Sequence, residues 1–184
     1  LLPASFVAKA EVANWPLFGL LAKLQRTVFV NRRATKATKQ RDEMICRLER
    51  GDSMILFPEG TSSDGNKVLP FKSALFGVAQ VEPHGQPLLV QPVSLAYTRL
   101  DGMPVGRALR PYFAWYGAMT LVSHFWEVAG LGRATVDVIF HPPVVISEYQ
   151  SRKALSEHCH TIVARGVSAA NSGRLDAYLH SSNS

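Results

Sequence analysis

An α/β fold is predicted: one domain with a mostly parallel or mixed central sheet flanked by helices. Three observations carry this. Short apolar runs of strand length, at 5–9, 27–31, 53–57 and 88–97, alternate with longer helix-like segments. The 184 residues are 47% hydrophobic and 18% charged, enough for a sizeable core and too apolar for disorder. No internal repeat or low-complexity tract divides the chain, so the domain is placed over 1–170, with 171–184 a polar, frayed tail.

In chain order, residues 5–9 read as a strand. A helical turn at 11–14 precedes Pro16, a residue suited to a first helical turn. Leu17, Phe18, Leu20, Leu21 and Leu24 then leave a helix apolar nearly all round, to be buried or pressed on acyl chains or a bilayer surface. Residues 27–31 form a strand that ends at Arg32. Over 35–50, Ala37, Met44, Ile45 and Leu48 share one helical stripe, and Gly51 is a natural stop. Residues 53–57 form the next strand. Pro58 has no N–H to continue its ladder, and Gly60 permits a turn. Thr61, Ser62, Ser63 and Asp64 then make a polar loop that Gly65 closes. Glu59 is thereby set at the carboxyl end of a buried strand, where ligands bind in open α/β sheets.

Residues 73–81 read as a helix with Ala74, Leu75, Val78 and Ala79 apolar, broken by Pro83-His84-Gly85. The continuous apolar start of 88–97 suggests a strand buried on both faces, with a bulge or an unpaired N–H position at Pro92. A loop over 99–111, an aromatic-rich helix over 118–128 and a half-buried strand over 134–140 follow, and His141-Pro142-Pro143 stops that strand. Residues 151–170 form an amphipathic helix, with Ser151 as N-cap and Leu155, Cys159, Ile162, Val163 and Val167 toward the core.

The net charge of +6 is concentrated: Arg26 to Arg50 holds eight Lys/Arg against three acids. Such a run suits a phosphate-bearing ligand, an anionic membrane surface or nucleic acid, and equally a plain solvated helix face. It lacks interleaved aromatics and any nucleic-acid motif, so nucleic acid is not an expected partner. Cys46 and Cys159 form no CxxC pair, which argues against a disulfide framework and a metal site. No stretch reaches the roughly 20 apolar residues a spanning helix needs. No signal peptide is visible, and a first residue of Leu1 reads as a fragment lacking its native N-terminus.

Phe57-Pro58-Glu59-Gly60-Thr61 resembles the third motif of the glycerolipid acyltransferases, the lysophosphatidic acid acyltransferase family, usually Phe-Pro-Glu-Gly-Thr-Arg. Val28-Phe29-Val30-Asn31-Arg32 resembles the second motif and Val90-Gln91-Pro92-Val93-Ser94 the fourth. Pro70-Phe71-Lys72-Ser73-Ala74 resembles the continuation of the third. The resemblance implies an acyltransferase domain lacking its N-terminal part. It implies transfer of a fatty acyl group from an acyl-CoA or acyl carrier protein thioester to the hydroxyl of a lysophospholipid, 1-acylglycerol-3-phosphate. It further implies no cofactor and no metal, and work at a membrane surface, on the cytoplasmic face of the inner (plasma) membrane.

By the same resemblance Arg32, Glu59, Gly60 and Thr61, with Ser62 and Lys72 beside them, line the acceptor's head-group pocket. Arg32 is a permanent cation whose planar fork suits phosphate oxygens. Glu59 can accept from a glycerol hydroxyl or anchor Arg32; a purely architectural Arg32–Glu59 ion pair is the competing reading. The reaction needs a general base, which the family draws from a His-x4-Asp pair. His84, His124, His141, His158, His160 and His180 all lack that Asp, so no catalytic residue is assigned within this chain and the pair is expected upstream of Leu1. Without it the chain would be a non-catalytic lipid-binding module. Ser62 stands where most members carry Arg. Either Lys67 or Lys72 substitutes, or the acceptor has no phosphate monoester, as for bacterial lyso-ornithine lipid acyltransferases, whose loops are similar to residues 62–66.

Overall fold

The computed structural model describes residues 4–9, 24, 27–30, 37–114 and 121–182. The expected turn at 11–14, the apolar helix of 17–24 (Leu24 apart), and Arg26, Arg32, Arg33 and Lys36 lie outside them. Strands and helices alternate as expected, and in place of one mostly parallel or mixed central sheet the described strands form two three-stranded sheets, one parallel and one antiparallel.

In the parallel part β1 (Ala4–Lys9) lies between β2 (Val28–Val30) and β3 (Ser53–Ile55). Val7 pairs with Val28 and Ser5 with Met54. Helix α1 (Ala37–Glu49) makes the crossover from β2 to β3, as parallel strands require, and Gly51 ends it at φ 82°. The strand expected over 53–57 is shorter and less buried. It stops at Ile55, sits at the edge among the described strands, and leaves Phe57 exposed with its ring stacked 6.4 Å from Phe6.

The helix expected over 73–81 is a 3-10 helix, Ser73–Gln80, whose three-residue period puts Phe76 and Ala79 on one buried face. The strand expected from Leu88 begins only at Val93: β4 (Val93–Leu100) starts after Pro92, and Val90 makes an isolated bridge to Val144. Burial of β4 on both faces is not what forms. Ser94 and Ala96 point inward, while Val93 and Leu95, with Val136, Val138 and Phe140 of β6 (Ala134–Phe140), stay exposed on the other face. Antiparallel sheets commonly cover one face only.

The segment expected as a loop over 99–111 contains a hairpin. Asp101 (φ 49°) and Gly102 (φ 82°) form the two-residue turn that pairs β5 (Met103–Pro104) with β4. A 3-10 turn, Arg110–Phe113, follows, then α2 (Leu121–Ala129), which carries the buried His124.

Helix α3 (Arg152–Asn171) joins the two parts of the core. The Ser151 hydroxyl caps it, accepting from the Ala154 N–H at 3.2 Å. Toward its start, Leu155 and Cys159 pack on Phe76 and Ala79; toward its end, Ala170 packs on Ala96 and Ile139. Leu155 is fully buried, and its burial stabilises the fold by about 1.5–3 kcal/mol. Gly166 lets the helix touch β4: a Cβ there would fall 2.5 Å from the Ser94 Oγ. Residues 172–182 are not the frayed tail expected. They form α4 (Leu175–Ser182), because Leu175 packs against the Ala96 cluster and the Tyr178 ring meets the edge of His141. No helix among the described residues is long and apolar enough to cross a membrane.

Candidate functional site

The loop after β3 turns back on itself and is held there by its own backbone. Gly60 N–H donates to the Phe57 carbonyl at 3.1 Å, and Lys72 N–H donates to the Pro58 carbonyl at 2.9 Å. Glu59, between these ties, accepts from the Leu69 N–H at 2.7 Å through Oε2. Burial raises the Glu59 carboxyl above its ordinary value, while the Leu69 N–H and the nearby His160 pull it the other way. A half-buried carboxylate fixed by a backbone donor has one free oxygen to offer a ligand.

Gly60 takes φ 65°, a left-handed conformation that favours glycine. The absent side chain also makes room. The Lys72 Nζ lies 2.6 Å from where a Gly60 Cβ would be, so the ammonium rests on the glycine beside Glu59. Lys72, Thr61 and Ser62 are exposed. The structure thus brings Glu59, Gly60, Thr61, Ser62 and Lys72 onto one folded loop; Arg32 lies outside the described residues. Lys67 is exposed further along the loop.

Residues 63–66 are tied by hydrogen bonds that the sequence does not advertise. The Ser63 Oγ accepts from the Gly65 N–H, and the Asp64 carboxylate accepts from both the backbone N–H and the Nδ2 of Asn66 at 3.0 Å. Asn66 holds Asp64 below its usual carboxylate range. Arg110 then ties this turn to the end of α3. Its Nη1 donates to the Asn66 Oδ1 at 3.1 Å and its Nη2 to the Asn171 carbonyl at 2.7 Å. A cation on the last carbonyls of a helix is favoured by the helix dipole. Asn171 Nδ2 donates back to the Gly65 carbonyl at 3.4 Å. Sequence reasoning missed Arg110 and Asn171, which are 44 and 106 positions from their loop partners and share no motif.

One serine–histidine contact needs its polarity read. Ser94 Oγ is 2.8 Å from the His141 Nε2 and donates its only proton to the Val163 carbonyl at 2.9 Å. The imidazole therefore donates to the serine, the reverse of what activates a nucleophile. Burial also lowers the His141 pKa. The pair is a buried strut between β4 and α3. His160 is different. No role was assigned to it from the sequence, yet it lies near Glu59, its ring meets the edge of Phe71 at 5.2 Å, and its Nε2 has no hydrogen-bond partner.

Comparison with known proteins agrees with this loop. The family model described as Acyltransferase matches residues 2–96, from β1 into β4. The chain is 46% identical over 174 residues to a lyso-ornithine lipid O-acyltransferase of Brucella abortus, covering 92% of this chain and 65% of that protein. It is 32% identical to a 1-acyl-sn-glycerol-3-phosphate acyltransferase of Neisseria gonorrhoeae, over 84% of this chain and 57% of that one. The crystal structure of the 1-acyl-sn-glycerophosphate acyltransferase PlsC from Thermotoga maritima superposes with a TM-score of 0.57 at 26% identity, over 90% of this chain and 56% of that one. The chain thus spans between about half and two thirds of the length of these relatives. With the Glu59 loop, the strands around it and the family match in agreement, the chain belongs to the acyltransferase family.

Proposed function

We propose that the protein transfers a fatty acyl group from an acyl thioester to the hydroxyl of a lysolipid. The hydroxyl oxygen forms a bond to the thioester carbonyl carbon, the carbon–sulfur bond breaks, and the thiol leaves with the hydroxyl's proton. The residues described here serve the acceptor side of that reaction. Glu59, held by the Leu69 N–H, and the Lys72 ammonium, which reaches over Gly60, set a carboxylate and a cation on one loop to orient a polar head group. This pair is the observation that carries the reading. Acyl-CoA or acyl carrier protein is the donor class, and the site of work is a membrane surface, at its cytoplasmic face.

Two acceptors fit a lysolipid site. The relatives from Neisseria and Thermotoga are named for a glycerophosphate acceptor, and Lys72 supplies a cation for it. Ser62 favours the other, a lyso-ornithine lipid. It stands where the commoner motif places Arg, and the 46%-identical relative is named for that acceptor. Arg110 does not make good the missing guanidinium, since it is spent on Asn66 and the Asn171 carbonyl. The test is thiol release from an acyl thioester by the protein expressed from its native gene, with each lysolipid in turn. Turnover with lyso-ornithine lipid, dependent on Glu59, supports the reading; no thiol release with either acceptor ends it.

A further inference from the structure

A cavity of about 250 Å³ lies beside the Glu59 loop, between Pro70-Phe71 on one wall and Ser156, Glu157, His160 and Thr161 of α3 on the other. Pro70 and Phe71 follow Leu69, whose N–H holds the Glu59 carboxylate, and His160 in the opposite wall acts on that same carboxylate. The cavity and the acceptor loop therefore share a boundary.

Among the described residues neither Lys nor Arg is part of the lining. Glu157 brings a carboxylate to the rim, where Lys153 stands 3.8 Å away along the helix. The Thr161 hydroxyl gives its proton to the Glu157 carbonyl at 2.8 Å, so its oxygen is left to accept. The His160 Nε2 is unpartnered, and the Phe71 ring stands beside it. A carboxylate, a hydroxyl oxygen and an aromatic face are what an ammonium group needs. A phosphate there would meet the like charge of Glu157.

We infer that this cavity receives the free ammonium of the acceptor's head group, with Glu157 as its counter-charge. The inference rests on the lyso-ornithine reading above. Ornithine is a diamino acid; linked to a fatty acid through one amine, it keeps the other as an ammonium, together with its carboxylate. Lys72 on Gly60 is then the partner for the carboxylate, and the α3 wall the partner for the ammonium. The head group would be recognised at both ends, by elements more than 80 residues apart in sequence.

The test uses the native full-length protein and two acceptors: lyso-ornithine lipid, and an analogue with norvaline in place of ornithine, which lacks only the side-chain amine. The wild type should prefer the ornithine compound about tenfold in kcat/KM, a typical value for one charge-assisted contact. Glu157→Gln should abolish that preference, chiefly through KM, with Tm unchanged. Glu157→Lys should reverse it. Equal kcat/KM for the two acceptors in the wild type, or an unaltered preference in both variants, would overturn the inference while leaving acyl transfer to lyso-ornithine lipid intact. No turnover of lyso-ornithine lipid by the wild type would overturn the inference and that choice of acceptor together.

Discussion

Gly60→Ala separates the two uses of this glycine. A Cβ at Gly60 would lie 2.6 Å from the Lys72 Nζ and 3.2 Å from its Cδ and Cε. Those atoms are the far end of a flexible, exposed side chain, so Lys72 swings away at little cost. What remains is the backbone, at φ 65°, where a side chain costs about 1–2 kcal/mol. In a domain of this size that lowers Tm by roughly 2–8 °C. The effect on activity should be larger. Moving the ammonium away from Glu59 forfeits one charge-assisted contact to the acceptor, about 1.5–3 kcal/mol, or roughly 10- to 150-fold in kcat/KM. Lys72→Met should lose about as much activity with little change in Tm. Because both changes remove the same ammonium, the double variant should be no less active than the worse single one. The assay is thiol release by the full-length protein with its preferred lysolipid, beside thermal denaturation. Activity losses that multiply in the double variant, or a Gly60→Ala protein that keeps full kcat/KM, would refute the reasoning.

Three further outcomes follow from the packing around the loop. Gly166→Ala puts a Cβ 2.5 Å from the Ser94 Oγ and 3.0 Å from the His141 ring, both buried and hydrogen-bonded, so denaturant titration should show a loss of about 1–3 kcal/mol; a neutral result would mean that α3 does not press on β4. Arg110→Ala removes the bonds to Asn66 and to the Asn171 carbonyl. Amide exchange at Gly65 and Asn66 should quicken, with a stability loss of about 2–3 kcal/mol, and unchanged protection there would rule out the tie. His141 has its pKa depressed below 6.5 by burial, so its contribution to stability is present above pH 6.5 and is lost as pH falls through the folded-state value. His141→Asn should flatten the acid limb of the stability–pH curve, and an acid limb as steep as the wild type's would count against the assignment.

Local chemistry was legible wherever a single residue decides. Ser151 caps α3 at the expected place, and β6 has the bounds that its alternation indicates, whereas the strand expected from Leu88 begins only beyond Pro92. The Glu59 turn could be read because Pro58 and Gly60 constrain the backbone directly. The choice between an α-helix and a 3-10 helix over Ser73–Gln80 could not, since eight residues with Gly77 among them fit either period. The Asp101-Gly102 hairpin was readable, and its signal went unused among the other glycines of that stretch. Burial of β4 was misjudged because an apolar run does not say whether a second layer covers its outer face. α4 was missed because the polar residues of 171–184 hide Leu175 and Tyr178, whose partners Ala96, Ile139 and His141 are distant in sequence. For the same reason His160, Arg110 and Asn171 were invisible as parts of the site: nothing in their own surroundings points to the loop they serve.

The run of α3 from Ser156 to Asn171 also sets a rule about phase. One end of it walls the cavity, the middle rests Gly166 on Ser94, and the last carbonyl receives Arg110. Each residue of an α-helix advances the chain by about 100° and 1.5 Å. A single insertion between Thr161 and Gly166 would turn Gly166 and Asn171 about a quarter of the way round the helix while leaving the cavity wall in place. The spacing between these three contacts is therefore a fixed count, and length changes in this protein belong in its loops, outside that helix.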